Sequence, residues 1–345
     1  MTLREIAQMA GVSVATVSRV VNDVDRHKVS DATRNRILEI ARSGRYRPNP
    51  QAVSLVTRRP PNTLGLVIPY NSHVFESFYF TEIIRGAVDA AADHGMSIAL
   101  FVPNRDAPAS AYHDTLGKGG ALAAAAGVLL IGTRVNDPAI RQCRESKIPF
   151  VVVSNSVPDP DVNSVDCDNR SGAQEATRHL LRLGHTRIAF IGGPEGSANA
   201  RDRLAGYQTA LAEAGIFEDP ALIAGGQFEE QRGRNAMQRI LARGVRPTAL
   251  FAANDVMALG AMKALKREGL RVPDDVAVVG FDDVPLAQHV EPALTTVHQP
   301  IYQLGRRAAE ILTAQIISGS TDATRAMLRT RLVIRESCGA RRGEA

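Results

Sequence analysis

Asp282 and Asp283 close one apolar run, Val278-Val279-Gly280-Phe281, and Asn254 and Asp255 close another, Leu250-Phe251-Ala252-Ala253. Arg203 comes soon after a third run, which ends in Gly192-Gly193-Pro194. An acid, an amide and a guanidinium converging on one cleft can hold a polyhydroxylated ligand or a nucleobase through directed hydrogen bonds. Aromatic rings would cover the ligand's apolar face. Asp and Asn at such places also cap helices, and residue type alone leaves both roles open for Asp282 and Asn254. Asp255 is assigned to capping. Acid/base chemistry by Asp282 with Asp283 is disfavoured, because neighbours at a strand end point in different directions. Gly117-Lys118-Gly119-Gly120 lacks phosphate-loop spacing, no G-x-G-x-x-G follows a strand, and there is neither G-x-S-x-G nor H-E-x-x-H. Cys143, Cys167 and Cys338 are odd in number, far apart and without metal-site spacing. No catalytic residue, cofactor or metal is expected.

These residues need elements to hold them. Apolar runs at 64–68, 98–102, 128–131, 150–153, 188–191, 249–252 and 276–281 read as strands. Between them, 79–94, 139–146, 173–183, 203–214 and 255–268 read as helices. Uninterrupted apolar strands alternating with helices predict an α/β fold with parallel sheets covered on both faces. Such sheets place ligands outside the carboxyl ends of their strands, where the polar residues above stand. The strand count suits two subdomains, and the Pro/Asp-rich stretch 158–163 is the expected break.

The first 59 residues differ from the rest. They hold eleven Lys/Arg and five Asp/Glu, a net charge of +6, while the whole chain of 345 residues carries +5. All the excess positive charge therefore sits in the head, which suggests a polyanion as partner. Thr2 and Glu5 form a T-x-x-E capping box. Leu3, Ile6, Ala7 and Ala10 make one helical face, and Gly11 suits the positive φ of a helix end. Ser13 can cap a second helix with Val17, Val20 and Val21 inward, which turns Val14, Ala15, Ser18 and Arg19 outward. Ser30-Asp31 starts a third helix, with Ile37, Leu38 and Ala41 buried. Two short helices joined by a tight turn make a helix-turn-helix, whose second helix enters the DNA major groove. Arg19 could grip guanine O6 and N7 there, and Val14 and Ala15 could touch a thymine methyl. Residues 48–56 form a two-turn helical pattern too short to be stable alone.

Val14-Ala15-Thr16-Val17-Ser18-Arg19-Val20-Val21-Asn22, then Val29-Ser30, Thr33-Arg34 and Tyr46-Arg47-Pro48-Asn49, resemble the head of the lactose-repressor family of bacterial transcription regulators. The likeness runs to about Glu336 and includes Leu294-Thr295-Thr296-Val297-His298-Gln299-Pro300. It implies three parts: an all-α helix-turn-helix head at 1–47, a hinge helix and linker at 48–62, and an effector-binding and dimerisation domain at 63–340. That last part would be two doubly wound parallel-sheet subdomains of periplasmic-binding-protein type. In the family, the positions matching Val14, Ala15 and Arg19 read bases. The position matching Leu55 wedges into the minor groove, which bends DNA. Positions matching Arg203, Asn254 and Asp282 contact the effector, the position matching Phe228 lines the same cleft, and Tyr79-Phe80 match aromatics that face the effector in purine-responsive members. The chain departs from the pattern in places. The loop from Asp23 to Lys28 is about two residues longer than usual, Gly44-Arg45 replaces Leu-Gly, Val53 replaces a common Arg, and Ser154 stands where the lactose repressor has a ligand-binding Asp.

The resemblance implies a regulator, a repressor, of double-stranded operator DNA. Its small-molecule effector would be a sugar or sugar derivative bound between the subdomains. A nucleobase or a partner protein as signal is the alternative, and a transport solute-binding protein the remote one; the basic head and the lack of a signal-peptide pattern argue against the latter. The same lack, with no apolar run long enough to span a bilayer, points to a cytoplasmic protein without membrane association. A homodimer is expected, with a tetramer left open.

Overall fold

The computed structural model describes residues 1–23, 26–46, 62–68, 75–101, 125–133, 137–155, 157 and 159–340. The hinge at 48–61, with Leu55, lies outside the described residues.

The head is three helices, α1 (Leu3–Ala10), α2 (Val14–Val21) and α3 (Asp31–Ser43). The capping box at Thr2 and Glu5 forms with both of its bonds. Gly11 ends α1 at φ 65°, Ser13 accepts from the Thr16 amide and Ser30 from the Thr33 amide. Ile6, Ala7, Ala10, Val17, Val20, Ile37 and Ala41 form the head's core. One charged residue is buried with them: Arg34, 7% exposed, bonds Asp23 at 2.7 Å. Gly44 is the C-cap of α3 at φ −82°, and the positive φ falls on Arg45 at 49° instead. A side chain on Gly44 would collide with Met1.

The body has two parallel sheets. Sheet A has the order β11-β5-β4-β3-β1-β2, with β1 Thr63–Val67, β2 Ser97–Phe101, β3 Gly127–Ile131, β4 Phe150–Val153, β5 Ser164–Cys167 and β11 Arg325–Leu328. Sheet B has the order β7-β6-β8-β9, with β6 Ile188–Gly192, β7 Ile223–Gly225, β8 Ala249–Ala252 and β9 Ala277–Val279. Side chains alternate across a strand. Leu64, Leu66, Leu129, Ile131, Val151 and Val153 accordingly pack under α4 (Phe78–Asp93) and α11 (Ile301–Ser318). Val67, Val128, Leu130 and Val152 pack on the opposite face, under α5 (Pro138–Glu145). Around sheet B, α6 (Asn169–Arg182) pairs with α7 (Ala198–Glu213), and α8 (Glu230–Ala242) with α9 (Asp255–Arg267). Among the described residues no helix is long and apolar enough to cross a membrane.

Two expectations are corrected. The stretch 158–163 does not part the subdomains; it joins β4 to β5 within sheet A, and the chain crosses to sheet B after Cys167. The strand beyond it escaped notice because Ser164-Val165-Asp166-Cys167 is half polar, yet all four residues are buried. The chain crosses twice more. After β10 (Thr296–His298) it returns through α11, and after β11 it comes back as β12 (Arg331–Val333), antiparallel to β10. Bridges from Val279 to Thr295 and from Asp282 to His298 tie that pair to sheet B. The second correction concerns Arg203. It does not open its helix, which starts at Ala198 under a Ser197 cap, so Arg203 stands in the second turn.

Candidate functional site

On α2 the expected outward face is present. Val14 is 42% exposed, Ala15 is exposed, and Ser18 and Arg19 are half-buried, while Val17 and Val20 point into the head. Ser18 Oγ is engaged by Asn22 Nδ2 at 3.2 Å, one turn on. The helix therefore offers two small apolar side chains and one guanidinium on a single side, a shape and chemistry suited to base edges in the major groove.

In the body, the carboxyl ends of both sheets come together. Several of these ends adopt backbone angles that L residues rarely take: Ser154 after β4 (φ 59°), Phe228 after β7 (61°) and Asp282 after β9 (115°). Strained non-glycine residues persist where surrounding structure holds them, and they cluster at ligand sites.

Seven polar side chains link the two subdomains in a continuous chain. The Tyr79 hydroxyl, from the first turn of α4, makes a short hydrogen bond with Ser154 Oγ. Asn199 Nδ2 donates to the same oxygen at 2.8 Å. Asn169 Nδ2 donates to Asn199 Oδ1 at 3.4 Å, and Asn169 Oδ1 accepts from Arg203 Nε at 2.9 Å. Arg203 Nη1 donates to the Ala253 carbonyl at 2.5 Å and reaches Asp282 Oδ1 at 3.4 Å. Gln299 Nε2 donates to that carboxylate oxygen at 2.6 Å. Asn199 and Arg203 stand four apart on α7, so they share one face.

Arg203 is 2% exposed, with its guanidinium 3.8 Å from the Phe281 ring centroid and 5.8 Å from that of Phe228. Burial pushes the Asp282 carboxyl up to about 6, against the pull of Arg203 and Gln299. Burial also raises the Tyr79 phenol, which stays a neutral donor or acceptor. Asn254 caps α9 through the Met257 amide at 2.9 Å, and its Nδ2 reaches the Phe228 carbonyl at 3.4 Å. The Phe228 ring lies against Gly193, where any side chain would strike it. Phe80 meets Tyr79 edge-on at 5.6 Å between centroids and packs onto the core of sheet A.

The acids beside the site serve the fold. Asp255 takes Thr296 Oγ1 at 2.5 Å and the Val284 amide at 2.9 Å. Asp283 pairs with Arg335 at 2.5 Å and His298 at 3.0 Å. Among the described residues no His, Cys, Asp and Glu converge into a metal-binding set.

Tyr79, Phe228, Arg203, Asn254 and Asp282 were all marked in the sequence, and the fold gathers them. Asn169 and Asn199 were missed. Nothing in their neighbours' types signals them, since their place depends on how the first turns of α6 and α7 meet each other and Ser154. Gln299 entered only as part of the motif that carries the family likeness.

Residues 2–49 match the bacterial regulatory proteins of the lacI family, and 177–338 match the periplasmic binding protein-like domain. The chain is 37% identical over 338 residues to the transcriptional regulator CelR of Thermobifida fusca, covering 97% of this chain and 98% of that one. The chain belongs to the lacI family of bacterial regulatory proteins. It is 36% identical over 337 residues to the transcriptional repressor CytR of Escherichia coli K12, covering 97% of this chain and 96% of that one. Among solved structures, a CelR–cellobiose complex superimposes with a TM-score of 0.76 at 36% identity, covering 98% of this chain and 99% of that one. The lac repressor dimer bound to operator and the anti-inducer ONPF superimposes at 0.80 and 30% identity, covering 99% of both chains. This lacI-family protein is a DNA-binding transcription regulator with a helix-turn-helix head and a periplasmic-binding-protein-like body.

Proposed function

We propose that the protein is a homodimeric repressor whose operator affinity is set by a sugar or sugar derivative held between the two subdomains. The observation that carries this reading is the buried polar chain from Tyr79 to Asp282. It offers donors and acceptors from both sheets to one small molecule, with Phe228 beside Arg203 to cover an apolar ring face. The sugar class is supported by the relative solved with cellobiose. Val14, Ala15, Ser18 and Arg19 would read the operator from the major groove, with Leu55 as the minor-groove wedge. Arg203, Asn254, Asp282, Phe228, Tyr79 and Phe80 would hold the effector. A molecule that bridges sheets A and B prefers one relative setting of the two subdomains. Operator DNA prefers one setting as well, and the two preferences are linked. A nucleobase is the second reading, favoured by the paired rings of Tyr79 and Phe80.

The test is a thermal-shift screen against sugars, sugar phosphates and nucleobases, since a ligand of the folded state raises its melting temperature. Hits are then added to operator-binding titrations of the native protein and of Asp282→Ala. A sugar hit should alter operator affinity of the native protein only, with Asp282→Ala binding operator normally. A response limited to nucleobases would replace the sugar reading, and an undiminished sugar response in Asp282→Ala would clear that residue of the role.

A further inference from the structure

Asp166 sits on β5, 4% exposed, and only half of its carboxyl group is accounted for. Its Oδ1 accepts from the Cys167 amide at 2.7 Å and from Asn169 Nδ2 at 3.2 Å. Its Oδ2 is buried with no hydrogen-bond partner. Leaving a buried carboxylate oxygen unpaired is costly, and native structures seldom do so without a reason. Val165 and Cys167 on either side fill the core of sheet A from the opposite face of β5, so that apolar packing does not call for a carboxyl at Asp166.

The position of the orphan oxygen is informative. Asn169, which holds the other oxygen, is also the link between Asn199 and Arg203. Asp166 thus stands as a side branch at the middle of the polar chain that joins the subdomains. Arg203 is already near enough to influence its charge, so a cationic ligand is not required to balance it. What the oxygen lacks is a donor when ionised and an acceptor when protonated. A hydroxyl supplies both.

We infer that Asp166 is a specificity residue of the effector site, its Oδ2 taking one hydroxyl of a polyhydroxylated ligand. This rests on the sugar reading above and sharpens it. The effector must carry a hydroxyl at the position that meets β5, and analogues lacking that one hydroxyl are rejected.

Calorimetric titration of the native protein, Asp166→Ala and Asp166→Asn at pH 8 tests this, with cellobiose, its monodeoxy series and its monodeoxyfluoro series as probes. The native protein should bind one deoxy analogue and the corresponding fluoro analogue roughly ten- to a hundred-fold more weakly than cellobiose, the cost of a stranded carboxylate. In Asp166→Ala that one preference should collapse to about two-fold, while preferences at the other hydroxyls persist. Asp166→Asn keeps the side-chain shape and the Oδ1 bonds but presents a donor. It should therefore recover the fluoro analogue, which can accept but not donate, and it serves if the alanine variant fails to fold. Uniform weakening across the series would show that Asp166 only supports the fold, and would overturn the assignment while leaving the sugar reading intact. If the native protein binds neither cellobiose nor any other sugar of the thermal-shift screen, the sugar reading fails and the assignment fails with it.

Discussion

At the scale of single residues, the head and the body use arginine in opposite ways. Arg19 keeps its guanidinium on the outer side of α2, whereas Arg203 spends its donors on Asn169, Ala253 and Asp282 inside the protein. A free guanidinium can read guanine bidentately, so Arg19→Ala should weaken operator binding by about 1–3 kcal/mol and relax preference at one base pair. Fluorescence anisotropy on operator and random DNA checks this, and an equal loss on both would reduce Arg19 to a phosphate contact. Asp166 makes a different prediction, one of pH. Burial raises its carboxyl from 3.8 to about 7. In the unfolded chain the group ionises near 3.8, so between about pH 4 and 7 the native state keeps a proton that the unfolded state has lost. Stability from this group is present below that window and lost as pH rises through it. Asp166→Asn cannot ionise, so its stability relative to the native protein should be greater at pH 8 than at pH 5 by roughly 2–3 kcal/mol. Denaturant melts at the two pH values measure it, and a difference that does not change with pH would contradict the burial argument.

At the scale of elements, the proposed effector site depends on how closely helices can approach. Tyr79 is set by α4, which packs on α11 with glycines on both sides of the contact. A Cβ at Gly305 would strike the Ile83 carbonyl, and one at Gly86 would strike the Tyr302 carbonyl. Backbone cannot move aside as a long side chain can. Gly305→Ala should therefore cost about 1–3 kcal/mol through overpacking, despite alanine's better helix propensity. Chemical denaturation gives the value, and a neutral or stabilising effect would show that the two helices can separate without penalty. These helices were only partly legible. The range 79–94 falls within a residue of α4, because its apolar positions repeat with the helical period and charged residues mark the outer face. The last long helix, α11, follows the family motif that ends in Gln299-Pro300, and its extent was not read, although Ile301, Leu304, Ala308 and Leu312 repeat at helical spacing on its buried side. β5 was missed because it is half polar, and β7 because Ile223-Ala224-Gly225 is a three-residue strand with no longer apolar run around it.

At the scale of the whole molecule, charge and linkage govern behaviour. The head's net +6 on a chain of +5 makes operator affinity an ion-exchange equilibrium. With about six phosphate contacts, affinity should fall roughly 10³-fold between 50 and 200 mM salt. A flat dependence in an anisotropy titration would be incompatible with the basic head as the DNA contact. The proposed effector site lies across two sheets that the chain joins by three crossings, so a ligand there would act on their relative setting rather than on one loop. Reciprocity then holds: whatever factor the effector applies to operator affinity, operator must apply to effector affinity. Calorimetry with and without operator DNA checks the second half, and unequal factors would mean that more than these two binding events are coupled.

The sequence by itself determined the helix-turn-helix, its caps and its outward face, because those depend on residues within four or five positions of one another. It also determined the α/β class and the polar ends of β8 and β9, since an apolar run and the polar residues that close it form a local pattern. Only the tertiary structure decided that Asn169, Asn199 and Asp166 belong with Ser154, Arg203 and Asp282. They come from both subdomains, from strands and helices 45 residues apart in the case of Ser154 and Asn199. Hydrogen bonding between them is fixed by how the crossings set one sheet's ends against the other's, and no local pattern of residue types encodes that distance.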